Sequence, residues 1–162
     1  MTERVPLDPL ATFGPDQPCF GCGPHHPIGF HLEPYREGDA VCVDFTPGER
    51  YQGPPGLMHG GLVMTLADEL GAWVVLGLKE RFGFTAAIEA RLTKPVRIGV
   101  PVHGRGTIES DTPRILKLKV VLSQEGTETF RGTLTFALLD RAGAERLLGG
   151  PLPETWVRFA RD

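Results

Sequence analysis

The chain has 162 residues, a length that fits one domain with a core of its own. Its net charge of −3 and pI near 6.0 argue against a dedicated nucleic-acid binder, which would carry a basic face. Three Cys cannot build a disulfide framework, and the opening Met-Thr-Glu-Arg-Val-Pro lacks the apolar core of a signal peptide, so a soluble, cytoplasmic protein is expected.

Three further features of composition narrow the chemistry. Asn is absent, the only serines are Ser110 and Ser123, and Arg outnumbers Lys by 13 to 4. The lack of Asn with few Cys and Met fits a protein from a hot environment, although Arg-rich usage also follows genome composition. No Gly-x-Ser-x-Gly occurs, so the strained serine turn of the α/β-hydrolases is excluded.

Residues 1–27 are rich in Pro and Gly without helical or strand periodicity, which predicts an irregular N-terminal lead. Two alternating runs follow, Ile28, Phe30, Leu32 and then Val41, Val43, Phe45, with the turn signal Arg-Glu-Gly-Asp at 36–39 between them; together they predict a hairpin. Pro47, Gly48, Gly53, Pro54, Pro55 and Gly56 leave no regular element between Thr46 and Gly56. Leu57–Leu78 contains no Pro and ends at Lys79-Glu80-Arg81 before Gly83, the pattern of a long helix. Four strand-like runs come next, at about 84–93, 101–110, 115–123 and 129–139, divided by Pro and Gly turn signals. The tail, 141–162, carries Gly149-Gly150-Pro151 and a short amphipathic stretch near Glu154–Phe159.

The long helix is apolar nearly all round, from Met58 through Leu62, Val63, Leu66, Leu70, Trp73 and Val74 to Leu76. Such a helix is buried in protein or in lipid. Its length would span a bilayer, but Asp68 and Glu69 at its middle would each cost about 2.5–3.5 kcal/mol there. No membrane span is therefore expected. A flat sheet covers only one side of such a cylinder; a curved antiparallel sheet with a partner subunit opposite would cover both. The prediction is an α+β protein, a long central helix wrapped by a sheet over residues 28–140, in a homodimer or homotetramer.

The densest polar cluster is Gln52-Gly53-Pro54-Pro55-Gly56-Leu57-Met58-His59-Gly60-Gly61 at the start of that helix. A helix N-terminus carries partial positive charge and unpaired N–H donors able to hold an oxyanion. Gly61, Thr65, Asp68 and Ala72 fall on one small, polar stripe. A carboxylate there is either satisfied by hydrogen bonds or used in chemistry. Glu69, about 100° further round, suits a pairing or subunit-contact acid. His59 suits a cap, or an acid–base group. Cys19-x-x-Cys22 with His25 or His26 has the start of a metal site, but the fourth ligand would have to be His31 or Cys42, and no metal or other cofactor is expected.

At this point the sequence resembles a family. His59-Gly60-Gly61 with an acid nine residues after the His looks like the signature of hotdog-fold acyl-CoA thioesterases of the PaaI-like group. Cys19-Phe20-Gly21-Cys22-Gly23-Pro24 with Pro27-Ile28-Gly29, and Tyr51-Gln52-Gly53-Pro54-Pro55-Gly56, resemble one branch of that superfamily, with His26 where the branch has Asn. The resemblance covers about residues 19–139. It implies an acyl-CoA hydrolase in which Asp68 is general base or nucleophile and Gly60 and Gly61 present N–H groups to the thioester oxygen. It further implies that Thr85, from the partner subunit, orients the water or Asp68, and makes Gln52 the candidate for the Asn or Gln the family often has before His-Gly-Gly. His59 as an acid–base group and Thr65 as a substrate-binding residue are expected from their places at the helix start and on the stripe. A non-catalytic acyl-CoA binding or sensing module on the same fold is the alternative.

Overall fold

The computed structural model describes residues 1–161. Seven strands, β1 (Arg4–Pro6), β2 (Tyr35–Glu37), β3 (Ala40–Phe45), β4 (Phe82–Leu92), β5 (Val102–Asp111), β6 (Ile115–Gln124) and β7 (Thr127–Leu139), form one antiparallel sheet in the order β1-β2-β3-β5-β6-β7-β4. Four helices accompany it: α1 (Pro9–Phe13), α2 (Gly60–Val74), α3 (Arg141–Leu148) and α4 (Glu154–Val157). A π turn over Val75–Lys79 extends α2. This is the expected long helix against an antiparallel sheet.

β6 shows how the pattern specifies the packing. Leu116, Leu118, Val120 and Leu122 are fully buried, while Lys117 and Lys119 between them face out, as the two-residue period of a strand requires. Burial of each such apolar side chain contributes about 1.5–3 kcal/mol. From α2, Val63, Leu66, Ala67, Leu70 and Val74 complete this core. Helix and sheet come close because glycine stands where they touch: a Cβ on Gly106 of β5 would collide with Val74, and one on Gly71 of α2 would collide with Leu134.

Gly60–Lys79 is apolar enough to cross a membrane by length and composition, yet half of its apolar window is buried inside the fold. It is the core helix of the fold.

The irregular lead expected over 1–27 needs correction. It holds β1, which extends the sheet beside β2, and α1, with Asp8 accepting the Ala11 N–H at 3.1 Å as its cap. Pro9 is the second signal, since proline suits a first helical turn. Phe13 of α1 stacks on Trp156 with ring centroids 4.2 Å apart and meets Trp73 of α2 at 5.9 Å. The far side of α2, expected to await a partner, is thus partly covered by the chain's own two ends. The hairpin is also shorter than expected, because Ile28–Pro34 has no ladder. Its backbone is spent on the N-terminal loop instead, Phe30 and Leu32 donating to the carbonyls of Phe20 and Gly21 at 2.9 Å each. In the tail, α3 is a second unexpected element, capped by Asp140 and closed by Gly149 at φ 72°.

Candidate active site

α2 begins at Gly60 because His59 caps it. The His59 Nδ1 accepts the Gly61 N–H at 3.0 Å, and the His59 N–H donates to the Tyr51 carbonyl at 2.8 Å. Tyr51 is pinned in turn by its hydroxyl, which donates to the Gly29 carbonyl at 2.6 Å. A Cβ on Gly61 would sit 3.2 Å from the His59 ring, a tight contact that the ring would have to yield to. The Gly60 N–H finds no protein acceptor among the described residues. Of the two N–H groups expected to face a thioester oxygen, the structure leaves Gly60 free and commits Gly61 to the cap.

Gln52 and Thr65 also turn inward. The Gln52 Oε1 accepts the Gly56 N–H at 2.7 Å and its Nε2 donates to the Glu49 carbonyl at 3.2 Å, so its amide holds its own loop. The Thr65 hydroxyl donates to the Gly61 carbonyl at 2.9 Å, within its helix.

Asp68 and Thr85 meet. The Thr85 hydroxyl donates to Asp68 Oδ1 at 2.6 Å, and no Lys, Arg or His pairs with Asp68 among the described residues. Burial pushes the Asp68 carboxyl above its usual value, and the Thr85 hydrogen bond offsets part of that rise. A bulge in β4 delivers Thr85: the register with β7 shifts between Thr85 and Ala87. Before the shift Thr85 shares the helix-facing side; after it Ile88 and Ala90 do, while Ala86 and Ala87 are exposed. Thr85 was expected from a partner subunit. It reaches Asp68 within one chain because β4 follows α2 directly and packs beside it.

Gly60 and Asp68 are not together. Eight residues at a rise of 1.5 Å set them about 12 Å apart along the axis of α2, whereas a reacting carbonyl must lie about 3 Å from both base-borne nucleophile and donor.

Glu69 occupies a site of its own that the sequence reading missed. The Cys19 thiol approaches Glu69 Oε1 and Oε2 at 3.3 and 3.4 Å, and Cys22 completes a cluster whose ligand atoms lie within 4.8 Å of one another. Hydrogen bonding from the Cys22 thiol lowers Cys19 to about 5 and raises Cys22, while burial pushes Glu69 up to about 8. His31 and Cys42, the candidates for a fourth ligand, stand outside the cluster: His31 Nε2 bonds the His26 carbonyl at 2.5 Å, and Cys42 is buried in β3. The available signal was the pairing of Cys-x-x-Cys-Gly with an acid on the adjacent helix face.

A single long helix wrapped by a seven-stranded antiparallel sheet is the hotdog fold. Residues 55–130 match the model of the Thioesterase superfamily. A hypothetical thioesterase protein with coenzyme A from Streptococcus pneumoniae TIGR4 superposes with a TM-score of 0.59 at 20% identity, covering 62% of this chain and 81% of that one. A protein from Streptococcus mutans UA159 bound to acetyl CoA gives 0.61 at 18%, covering 66% and 87%. A further thioesterase superfamily protein gives 0.68 at 23%, covering 74% of this chain and 62% of that one. No curated protein matches the sequence.

Proposed function

We propose that the protein is an acyl-CoA thioester hydrolase. The observation that carries the reading is the half-buried Asp68, without a cation among the described residues and held by Thr85 of β4 at 2.6 Å, on the small-residue stripe of α2. Coenzyme A and acetyl CoA in the two streptococcal relatives supply the substrate class. Asp68 acts as general base or as nucleophile. As base it takes a proton from water while the water oxygen bonds to the thioester carbon; the carbon–sulfur bond then breaks and the proton passes to the departing CoA thiolate. As nucleophile its carboxylate oxygen bonds to the thioester carbon while the carbon–sulfur bond breaks and CoA thiolate leaves; water then opens the acyl-enzyme anhydride to the free acid and Asp68, and a proton from that water goes to the thiolate. The Gly60 N–H receives the carbonyl oxygen at the positive end of α2.

The separation of about 12 Å along the helix axis between Gly60 and Asp68 supports a site shared between two chains. A site serving one carbonyl takes Gly60 from one protomer, and Asp68 with Thr85 from the other, so the working unit is a homodimer or larger. β4 supports this: it is an edge strand with Phe84 and Leu92 exposed, and open edges invite pairing. The N-terminal Cys-Phe-Gly-Cys-Gly segment supports a reading as a PaaI-like enzyme acting on cytoplasmic CoA thioesters.

One observation favours the alternative, a module that binds acyl-CoA without cleaving it: the Gly61 N–H is occupied by His59, which leaves a single donor for the oxyanion. Released thiol, measured on short, long and aryl acyl-CoAs, decides. Turnover that needs Asp68 supports the hydrolase; binding without thiol release on every member of the panel overturns it.

A further inference from the structure

We propose that Cys19, Cys22 and Glu69 form a metal site, selective for a zinc-class divalent ion, that ties the N-terminal loop to the helix bearing Asp68. The three ligand atoms come from segments 50 residues apart and already lie within 4.8 Å of one another. Zinc binds thiolate sulfur at about 2.3 Å and carboxylate oxygen at about 2.0–2.2 Å. A tetrahedron of those bond lengths sets its ligands about 3.5–3.8 Å apart, so an ion enters with small side-chain shifts. Two sulfurs and one carboxylate oxygen suit zinc over the oxygen-seeking magnesium or calcium. The fourth position is left for water.

The backbone is shaped for this cluster. The Cys19–Gly23 turn closes with the Gly23 N–H donating to the Cys19 carbonyl at 2.8 Å. It is clamped from outside by the N–H groups of Phe30 and Leu32. A Cβ on Gly21 would collide with the Glu69 side chain, and one on Gly23 with the carbonyls of Gln17 and Cys19. Both glycines thus make room, one for the carboxylate and one for the turn that brings two sulfurs to one side. No Lys, Arg or His pairs with Glu69 among the described residues. A partly buried carboxylate facing two sulfurs has no other source of positive charge, and a divalent ion supplies it.

The proposal is independent of the thioesterase reading, and its test reads metal rather than activity. Full-length protein is stripped with chelator and titrated with Co2+ and with Zn2+. Expected are one equivalent of Co2+ with thiolate-to-cobalt charge-transfer absorption and tetrahedral ligand-field bands, displaced by Zn2+, and a rise in unfolding midpoint with Zn2+ by mass action. Cys19→Ser and Glu69→Gln should each weaken Zn2+ binding by more than about tenfold, the least that loss of a supporting group costs at such sites. Cys42→Ala should leave it unchanged. Absence of the thiolate band in the unaltered protein, or equal binding by the Cys19 and Glu69 variants, overturns the proposal; the first readout needs no variant to fold.

Discussion

Asp68 and Glu69 are neighbours in sequence and share a helix, yet the molecule treats them as two different kinds of acid. Asp68 lies on the small-residue stripe with Gly61, Thr65 and Ala72 and accepts a hydrogen bond from one hydroxyl, that of Thr85. Glu69, turned by one residue, is roofed by the Cys19–Gly23 turn and approached by two sulfurs. What differs is the chain laid over each face. One face is the more open, with Gly61 exposed, and the other is closed by the protein's own N-terminal segment. On the proposed reading, reactivity belongs to the open side and cohesion to the closed one.

The largest effect expected on this contrast is on turnover. Asp68→Asn keeps shape and the Thr85 contact but removes both base and nucleophile, so thiol release from an accepted acyl-CoA should fall by about 10²-fold or more. Affinity for the substrate should stay within a few-fold. The unfolding midpoint should hold or rise, because a partly buried carboxylate without a cation is a cost that the amide relieves. Near-full turnover in this variant would remove Asp68 from the chemistry and leave the two faces functionally alike.

Thr85→Val sharpens the open side. It removes one hydrogen bond to a carboxylate, worth about 1.5–3 kcal/mol, at nearly constant volume. Turnover should drop by about tenfold or somewhat more, less than for Asp68→Asn, because the base remains while its aim is lost. If kcat does not change, Asp68 is positioned by something other than the β4 bulge.

These two residues also show what could be read in advance. The stripe carrying Asp68 was legible because helical periodicity fixes which residues share a face, and the strands were legible wherever two-residue alternation met a buried sheet, as at Leu116–Leu122. The partnership with Thr85 needed more. Its placement depends on a bulge that no periodicity reports, and a family resemblance pointed to the residue while assigning it to the wrong chain. Glu69 and the cysteines were illegible for a related reason. They meet through the aperiodic stretch 14–34, whose backbone bonds go to other loops rather than to a ladder. The same holds for Gln52, whose amide is spent within its own turn, and for α1, hidden in a Pro-rich lead although Asp8-Pro9 is a sound start signal.

Gly21→Ala attacks the closed side. The added Cβ collides with the Glu69 side chain, and relieving such overpacking costs about 1–3 kcal/mol. Thermal unfolding should show a lowered midpoint, whereas Gly48→Ala, where a Cβ meets nothing within 4 Å, should unfold like the unaltered protein. Equal midpoints for both would mean that the Cys19–Gly23 turn moves aside freely and does not clamp α2.

The smallest effect concerns an acid that lies on neither face of α2 and shows why close pairing alone does not make a strong site. Asp44 on β3 accepts from the Tyr35 hydroxyl at 2.9 Å and lies 2.9 Å from His103 Nδ1. Burial raises its carboxyl, but the hydrogen bonds from His103 and Tyr35 more than offset that and hold it below its ordinary 3.8. A carboxyl depressed in the folded state adds stability that is complete above the unfolded value, near pH 4, and is lost as pH falls through the folded value. Asp44 and His103 keep 54% and 43% of their side chains exposed, so solvent screens the pair and the contribution is small. Asp44→Asn should therefore leave the unfolding midpoint almost unchanged at neutral pH and flatten its decline below pH 4 only slightly. A large neutral-pH loss would show that the β2–β3–β5 cluster holds the N-terminal strands in place, and cohesion would then not be confined to the closed side of α2.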